Sequence, residues 1–362
     1  MSRSIPEKPA DVGENSNIVD VVRQFVASRQ ADPLLTAAID EGREIASILD
    51  SFDLSQNLLG AVLLYPAVRD EIISVNDIEN NNLEALSRNV IGLVQLGRFS
   101  LPRGWKPGEA LAAQQSEALR KMLLAVVSDV RLVLVRIAEQ LFRMRQAKHA
   151  PPEEQRAIAI ETREIYSALA NRLGVWQLKW ELEDLAFRYL EPDTYAEIAG
   201  ALNEKRAERE LFIEQVKETL QAELVSQGVK AQISGRPKHI YSIWRKMQRK
   251  DRGLDDLYDI RAVRVLVDDV KDCYAALGAA HNLWSYLPGE FDDYIANPKE
   301  NDYRSLHTAV IGPDGKTVEV QIRSFDMHRQ AELGVAAHWR YKEGGGSTAA
   351  FDQKIRFLRQ LL

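Results

Sequence analysis

The chain has 362 residues, 45% of them hydrophobic, enough for two domains with separate cores. A formal net charge of -6 and a pI of about 5.7 argue against a protein built to coat nucleic acid, so any polyanion site must be local. The lone Cys273 excludes an internal disulfide and a thiolate zinc site. The polar N-terminus has no signal stretch, and no charge-free run is long enough to span a bilayer. A soluble, cytoplasmic protein with no membrane partner is expected.

Residues 1–17 are polar and are expected to be disordered. Residues 18–190 read as helix after helix. Ile39, Ile45, Ile48 and Leu49 have helical spacing, and the run LLGAVLL from Leu58 is apolar on most sides, as in a buried helix. Met122 to Met144 reads as a central helix or helix pair, and Glu161 to Tyr189 as a further helical run that stops before Pro192. Pro102, Gly104 and Pro107 mark one loop, Pro151 and Pro152 another. Residues 191–228 read as a charged amphipathic helical connection ending at Gly228.

After Gly228 the period changes. Val229 to Ser234 and Asp259 to Val267 read as strands, Pro237 to Arg249 and Val270 to Leu283 as helices. Thr308 to Ile311 and Thr317 to Arg323 flank Pro313, Asp314 and Gly315, a hairpin signal. Phe325 to Tyr341 reads as helix, and residues 344–362 as a flexible linker and the start of another helix. The fold class is α+β, with an all-helical domain at 18–190 and a mixed-sheet domain at 229–343.

All six histidines lie at or after His149, so an imidazole metal site is unavailable in the first 148 residues. The chemistry concentrates in the second domain. In SGRPKHIYSIWRKMQRK, Lys238, Ser242, Lys246 and Arg249 fall near one helix face, opposite Ile240, Ile243, Trp244 and Met247. A Gly turn into a basic helix start suits phosphates, and it equally reads as a solvated basic face. Asp259, at a strand entrance ahead of Arg261 and Arg264, suits Mg²⁺ or a simple cap. In VEVQIR, Val318, Val320 and Ile322 alternate with Glu319, Gln321 and Arg323. The polar face then meets either solvent or a ligand, and in the second case Glu319 partners Asp259 at a shared metal. Together these describe metal-dependent phosphoryl or pyrophosphoryl transfer.

GRPKHIYSIWRKM, LYDIRAVRV, DYIANPK, DYRSLHT, VEVQIRS and AELGVAAHWRYKEG together resemble the synthetase domain of long RelA/SpoT homologues, the alarmone (p)ppGpp synthetases. The helical region resembles their HD-like hydrolase domain. The resemblance implies a nucleotidyltransferase-like sheet that moves pyrophosphate from ATP to the 3′-hydroxyl of GDP or GTP. Carried over, Arg236 and Arg264 look like the pair that stacks on adenine, and Lys238, Ser242 and Lys246 like phosphate contacts. Asp259 and Glu319 look like the Mg²⁺ carboxylates, Glu319 also helping to deprotonate the acceptor. Arg236 and Lys238 join them as the catalytic set. Tyr303 looks like the residue that stacks on guanine, with Lys299, Asn301, His307 and Gln321 as acceptor contacts. Glu290, Asp292 and Asp293 match the ExDD pattern of RelA-type members, which implies a preference for GDP.

Two departures stand out. Asp302 replaces the family's usual Gly before the tyrosine, where positive φ is needed. The hydrolase His-Asp pair falls at Tyr65 and Pro66, its first His near Glu41 and Gly42, and its later metal Asp at Glu139. A synthetase-only member with a pseudo-hydrolase domain is expected. The alternative is a catalytically impaired nucleotide sensor or a regulator docking on ribosome or RNA. The resemblance further implies ribosome and uncharged tRNA as partners, through a C-terminal region outside the residues read here.

Overall fold

Side-chain caps start several helices of the computed structural model. Asp32 accepts from the Leu34 amide at 2.9 Å, and Ser74 and Asp77 form a reciprocal capping box. The structure describes residues 18–29, 32–52, 54–81, 83–97, 129–204, 206–236, 238–250, 261–299 and 301–334. The expectations for residues 1–17, the loop at Pro102 to Pro107, Asp259 and residues 344–362 lie outside them. Contacts divide the chain into residues 1–100 with 127–136, and residues 101–126 with 137–362.

The first unit is helical, with α1 (Ile18–Ser28), α2 (Pro33–Ile48), α3 (Gln56–Arg69), α4 (Val75–Glu79) and α5 (Glu84–Gly97), and it takes in the start of α6 (Val130–Gln146). The apolar run from Leu58 is indeed central: Leu58, Ala61, Val62 and Leu64 are fully buried in α3. Gly42 lets α2 approach α3 closely, since a Cβ there would lie 2.5 Å from the Leu63 carbonyl oxygen.

The second unit continues with α7 (Pro152–Glu161), α8 (Ser167–Leu173), α9 (Trp176–Leu190), α10 (Pro192–Glu204) and α11 (Arg206–Ser226). The single run expected from Glu161 to Tyr189 is broken twice. Thr162–Tyr166 widens into a π turn, and Gly174, at φ 69°, ends α8 in the left-handed region where glycine carries no Cβ penalty. The connection expected as one helix is two, because its halves serve different cores. Ile198 of α10 packs with Phe187 and Ile243, whereas Phe212, Val216, Leu220 and Leu224 of α11 pack on the sheet.

The strands are β1 (Ala231–Gly235), β2 (Ala262–Val267), β3 (Tyr286–Asp293), β4 (Leu306–Ile311) and β5 (Thr317–Ser324), with α12 (Ile240–Lys250), α13 (Val270–Leu283) and α14 (Phe325–Leu333). Their order is β1-β2-β5-β4-β3, with only β2 and β5 parallel, so the sheet is mixed. The hairpin read from Pro313, Asp314 and Gly315 is the antiparallel β4–β5 pair. Strand β3 is an edge strand that the sequence analysis does not assign. It escapes pattern recognition because Pro288 and Gly289 interrupt it, and its register shifts between Tyr286 and Phe291 around Gly289 at φ 80°.

One face of the sheet is apolar. Val263, Val265, Val267, Val318, Val320 and Ile322 are fully buried against α11 and the Cys273–Ala280 side of α13. The other face is polar, yet Gln321 and Arg323 are each only 1% exposed. The half-solvated reading of VEVQIR is therefore corrected: its polar face is covered. Contacts also group α9 with the sheet.

Candidate functional site

Register builds the site. Ser234 pairs with Arg264, Arg264 with Gln321, Gln321 with His307, and His307 with Asp292, a row that crosses all five strands. One step along β5, Glu319 stands between Ala262 and Ala309, two small neighbours that leave its carboxylate uncrowded.

Glu319 is the electrostatic centre. Its Oε2 lies 2.7 Å from Lys238 Nζ, and its Oε1 lies 3.1 Å from Arg236 Nη1 and 3.6 Å from His307 Nδ1. Burial alone would raise its pKa, but Lys238 and then Arg236 outweigh that and hold it down to about 2. The carboxylate is therefore ionised. Arg236 is aimed by its own amide, which donates to the Ala262 carbonyl at 2.8 Å, and Glu319 by its amide, which donates to the Arg261 carbonyl at 2.9 Å.

Beside it lies a linked aromatic wall. Gln321 Nε2 donates to the Tyr303 hydroxyl at 2.8 Å, which lies 2.9 Å from His307 Nε2. Arg264 Nε donates to the Gln321 amide oxygen at 3.1 Å. Gln321 is buried, with both ends of its amide engaged. Burial lowers His307 to about 4, so the ring is neutral near pH 7, and burial raises the Tyr303 hydroxyl. Lys299 lies over Tyr294 at 4.2 Å and over Tyr303 at 5.4 Å. Burial lowers its pKa against the opposing pull of Asp292.

The loop carrying Tyr303 is shaped locally. Asn301 Oδ1 accepts from the Tyr303 amide at 3.4 Å, and the Asp302 amide donates to the Lys299 carbonyl at 2.8 Å. Asp302 adopts φ 60°, so the left-handed turn forms without glycine.

The three acids Glu290, Asp292 and Asp293 separate. Asp292 pairs across the strands with His307 and acts electrostatically on Lys299 and Tyr294. Asp293 instead closes a turn, accepting from the amides of Ile295 and Ala296 at 3.0 and 2.8 Å and from the Tyr274 hydroxyl at 2.9 Å. Glu290 is exposed on β3.

On α12, Ser242 is exposed and Lys246 half-buried. Ile243 anchors the opposite face, with Ile240, Trp244 and Met247 packed beside it, as the sequence pattern requires. At the helix N-terminus, Asp184 Oδ1 accepts from the Tyr241 amide at 2.9 Å.

Sequence reading missed Asp184, Trp176 and Trp180 of α9, and the Arg323–Glu332 pair at 3.1 Å. Spacing of four puts Trp176, Trp180 and Asp184 on one helix face, but nothing local says what that face meets. A divalent ion would find Glu319 suitable, as an ionised oxygen ligand beside two cations that can move onto phosphates. Among the described residues no group of three or more His, Cys, Asp or Glu is arranged to hold a metal, and Asp259 lies outside them.

In the first unit, Tyr65 and Glu41, singled out in the sequence, are both engaged. Tyr65 is fully buried, its hydroxyl accepting from Arg136 Nη1 at 2.6 Å. Arg69 lies over the Tyr65 ring at 5.8 Å and forms a bidentate pair with Glu41 at 2.6 and 3.1 Å.

Fold and site together define an α+β protein in which a helical HD domain precedes a mixed-sheet domain with a charged site on its covered polar face. Residues 235–346 match the "Region found in RelA / SpoT proteins" and residues 19–176 an HD domain. The chain is 46% identical over 342 residues to a GTP pyrophosphokinase of Photobacterium angustum, and 45% identical over 339 residues to one of Escherichia coli K12. Those alignments cover 94% and 92% of this chain and 45% of each relative, so the chain spans about half the length of the curated relatives it matches. A Synechocystis relative, 42% identical over 88% of this chain and covered over 42% of its own length, is named a probable guanosine-3′,5′-bis(diphosphate) 3′-pyrophosphohydrolase. The chain therefore carries a RelA/SpoT region preceded by an HD domain. Among the described residues no helix is long and apolar enough to cross a membrane.

Proposed function

We propose that the protein is a GTP/GDP pyrophosphokinase, transferring pyrophosphate from ATP to the 3′-hydroxyl of GDP, or less readily GTP, to make ppGpp or pppGpp. The observation that carries this is Glu319, ionised between Lys238 and Arg236 and beside the Tyr303–His307 wall. The acceptor's 3′-oxygen attacks the β-phosphorus of ATP, the bond to the α–β bridging oxygen breaks, AMP leaves, and the 3′-hydroxyl proton passes to Glu319. As Lys238 turns to the donor phosphates, Glu319 loses the partner that most depresses its pKa and becomes a stronger base. Arg236 and Arg264 offer planar cations to adenine, and Tyr303 a ring to guanine. Mg²⁺, held by Glu319 and Asp259 when bound, would offset phosphate charge.

Hydrolysis of ppGpp is absent in this reading. Its support is the Tyr65, Arg69 and Glu41 arrangement, which puts a phenol and an ion pair where imidazole ligands are required. Partners of the whole protein, ribosome and uncharged tRNA, belong to the same proposal through family resemblance.

The test is incubation with ATP, GDP and Mg²⁺, followed by nucleotide chromatography. Formation of ppGpp that is lost in Glu319→Gln supports the reading, whereas near-normal product from that variant sinks it. Mn²⁺-dependent release of pyrophosphate from ppGpp would overturn the hydrolase-free part.

A further inference from the structure

Helix α9 enters the site with three residues from one face, spaced four apart. Trp176 meets Tyr303 edge-on, with centroids 6.0 Å apart. Trp180 stacks on His239 at 5.0 Å and lies under the Arg236 guanidinium at 5.7 Å. Asp184 binds His239 Nδ1 at 3.3 Å and the Tyr241 amide at 2.9 Å. The two tryptophans also touch each other, 5.9 Å apart, and Lys179 lies over Trp176 at 4.9 Å.

This stripe reaches the two groups assigned to opposite nucleotides. Arg236 has two competing attractions, the Glu319 carboxylate and the Trp180 ring. A guanidinium lying on an indole keeps its other face open for a flat base, whereas one held only by a carboxylate is free to tilt toward it. Tyr303 has its hydroxyl pinned by Gln321 and His307, so the ring's remaining freedom is rotation about that pinned end. The edge contact with Trp176 limits that rotation.

We propose that Trp180 and Trp176 are positioning residues for the donor and acceptor bases respectively, Trp180 through Arg236 and Trp176 through Tyr303. The assignment rests on the synthetase reading for the identity of the two nucleotides. It adds that each base depends on a different tryptophan of one helix. The third residue of the face, Asp184, fixes the start of α12 and His239 so that Trp180 has a firm partner on its other contact.

The experiment titrates Trp180→Leu, Trp180→Phe and Trp176→Leu separately with a non-hydrolysable ATP analogue and with GDP, by calorimetry. KM values for ATP and GDP are measured alongside. Trp180→Leu is expected to weaken the ATP analogue roughly 3- to 30-fold, the range of a partly desolvated cation–π contact. GDP should stay within about twofold, and Trp180→Phe should restore most of the loss. Trp176→Leu is expected to show the reverse split. Equal weakening of both ligands in each variant, or no change in either, overturns the proposal, as does a wild-type chain that binds neither nucleotide. A wild-type chain that binds both and makes no ppGpp sinks the synthesis reading and leaves the positioning result to stand on its own.

Discussion

Lys238 Nζ sits 2.7 Å from Glu319 Oε2, so a cation suited to phosphate and the site's central acid neutralise each other before any substrate arrives. The consequence is a pH signature. Lys238 is the strongest of the influences that lower the Glu319 pKa, ahead of Arg236 and His307. Lys238→Gln should therefore raise that pKa and keep the base protonated to higher pH. The acid limb of the kcat/KM profile is expected to move upward in pH, and activity at pH 7 to fall on the order of 10²-fold or more as the phosphate contact is lost. A profile whose acid limb stays in place would show that Glu319 is not the titrating base.

His307 should make folding stability pH-dependent. Its folded pKa, depressed to about 4 chiefly by burial, lies below that of an exposed histidine. Between about pH 6.5 and 4 the unfolded chain binds a proton that the folded chain does not, so stability rises with pH through that window and falls as the solution is acidified. His328, also lowered to about 4, adds in the same direction. Each group contributes a slope of up to about 1.4 kcal/mol per pH unit. Calorimetric melting from pH 7.5 to 5 should show this loss, and His307→Gln should flatten part of it.

Asp292 and Asp293 are neighbours in sequence with different work. Asp292 faces His307 across the strands and interacts with Lys299. On the proposed function, its carboxylate would oppose the extra charge of a triphosphate acceptor. Asp292→Asn is expected to narrow the GDP-over-GTP ratio of kcat/KM several-fold, with the shift smaller at high salt because the residue is exposed. Asp293→Asn should leave that ratio nearly unchanged and lower the melting temperature, since two amides and the Tyr274 hydroxyl lose an ionised acceptor. Equal effects on the ratio from both variants would contradict the division of roles.

Asp302 occupies φ 60°. Glycine there would remove the left-handed penalty of about 1 kcal/mol and lose a similar amount in chain entropy. Asp302→Gly should thus be close to neutral in stability and in the KM for GDP. Asp302→Val, β-branched at positive φ, is expected to cost more than about 1 kcal/mol and to raise that KM by displacing Tyr303. Thermal melts and acceptor titrations of the two variants check this.

Much of the architecture was legible locally. Alternation in VEVQIR assigned Val318, Val320 and Ile322 to a buried face, and Pro313, Asp314 and Gly315 marked a hairpin that the structure contains. The basic and apolar faces of α12 followed from helical spacing, and the unbroken apolar run of α3 from its composition. These features are periodic, and a period of two or 3.6 is written into the chain itself. Other features depend on partners distant in sequence. The covered polar face of β5, the row from Ser234 to Asp292, and the reach of Trp176 and Trp180 to Tyr303 and Arg236 arise only when strands align and α9 packs on the sheet. Edge strand β3 is of the same kind: Pro288 and Gly289 hide it from any pattern, and pairing with β4 makes it. A residue's type and spacing decide which face it takes, but what that face meets is set by contacts whose energies belong to the folded chain as a whole.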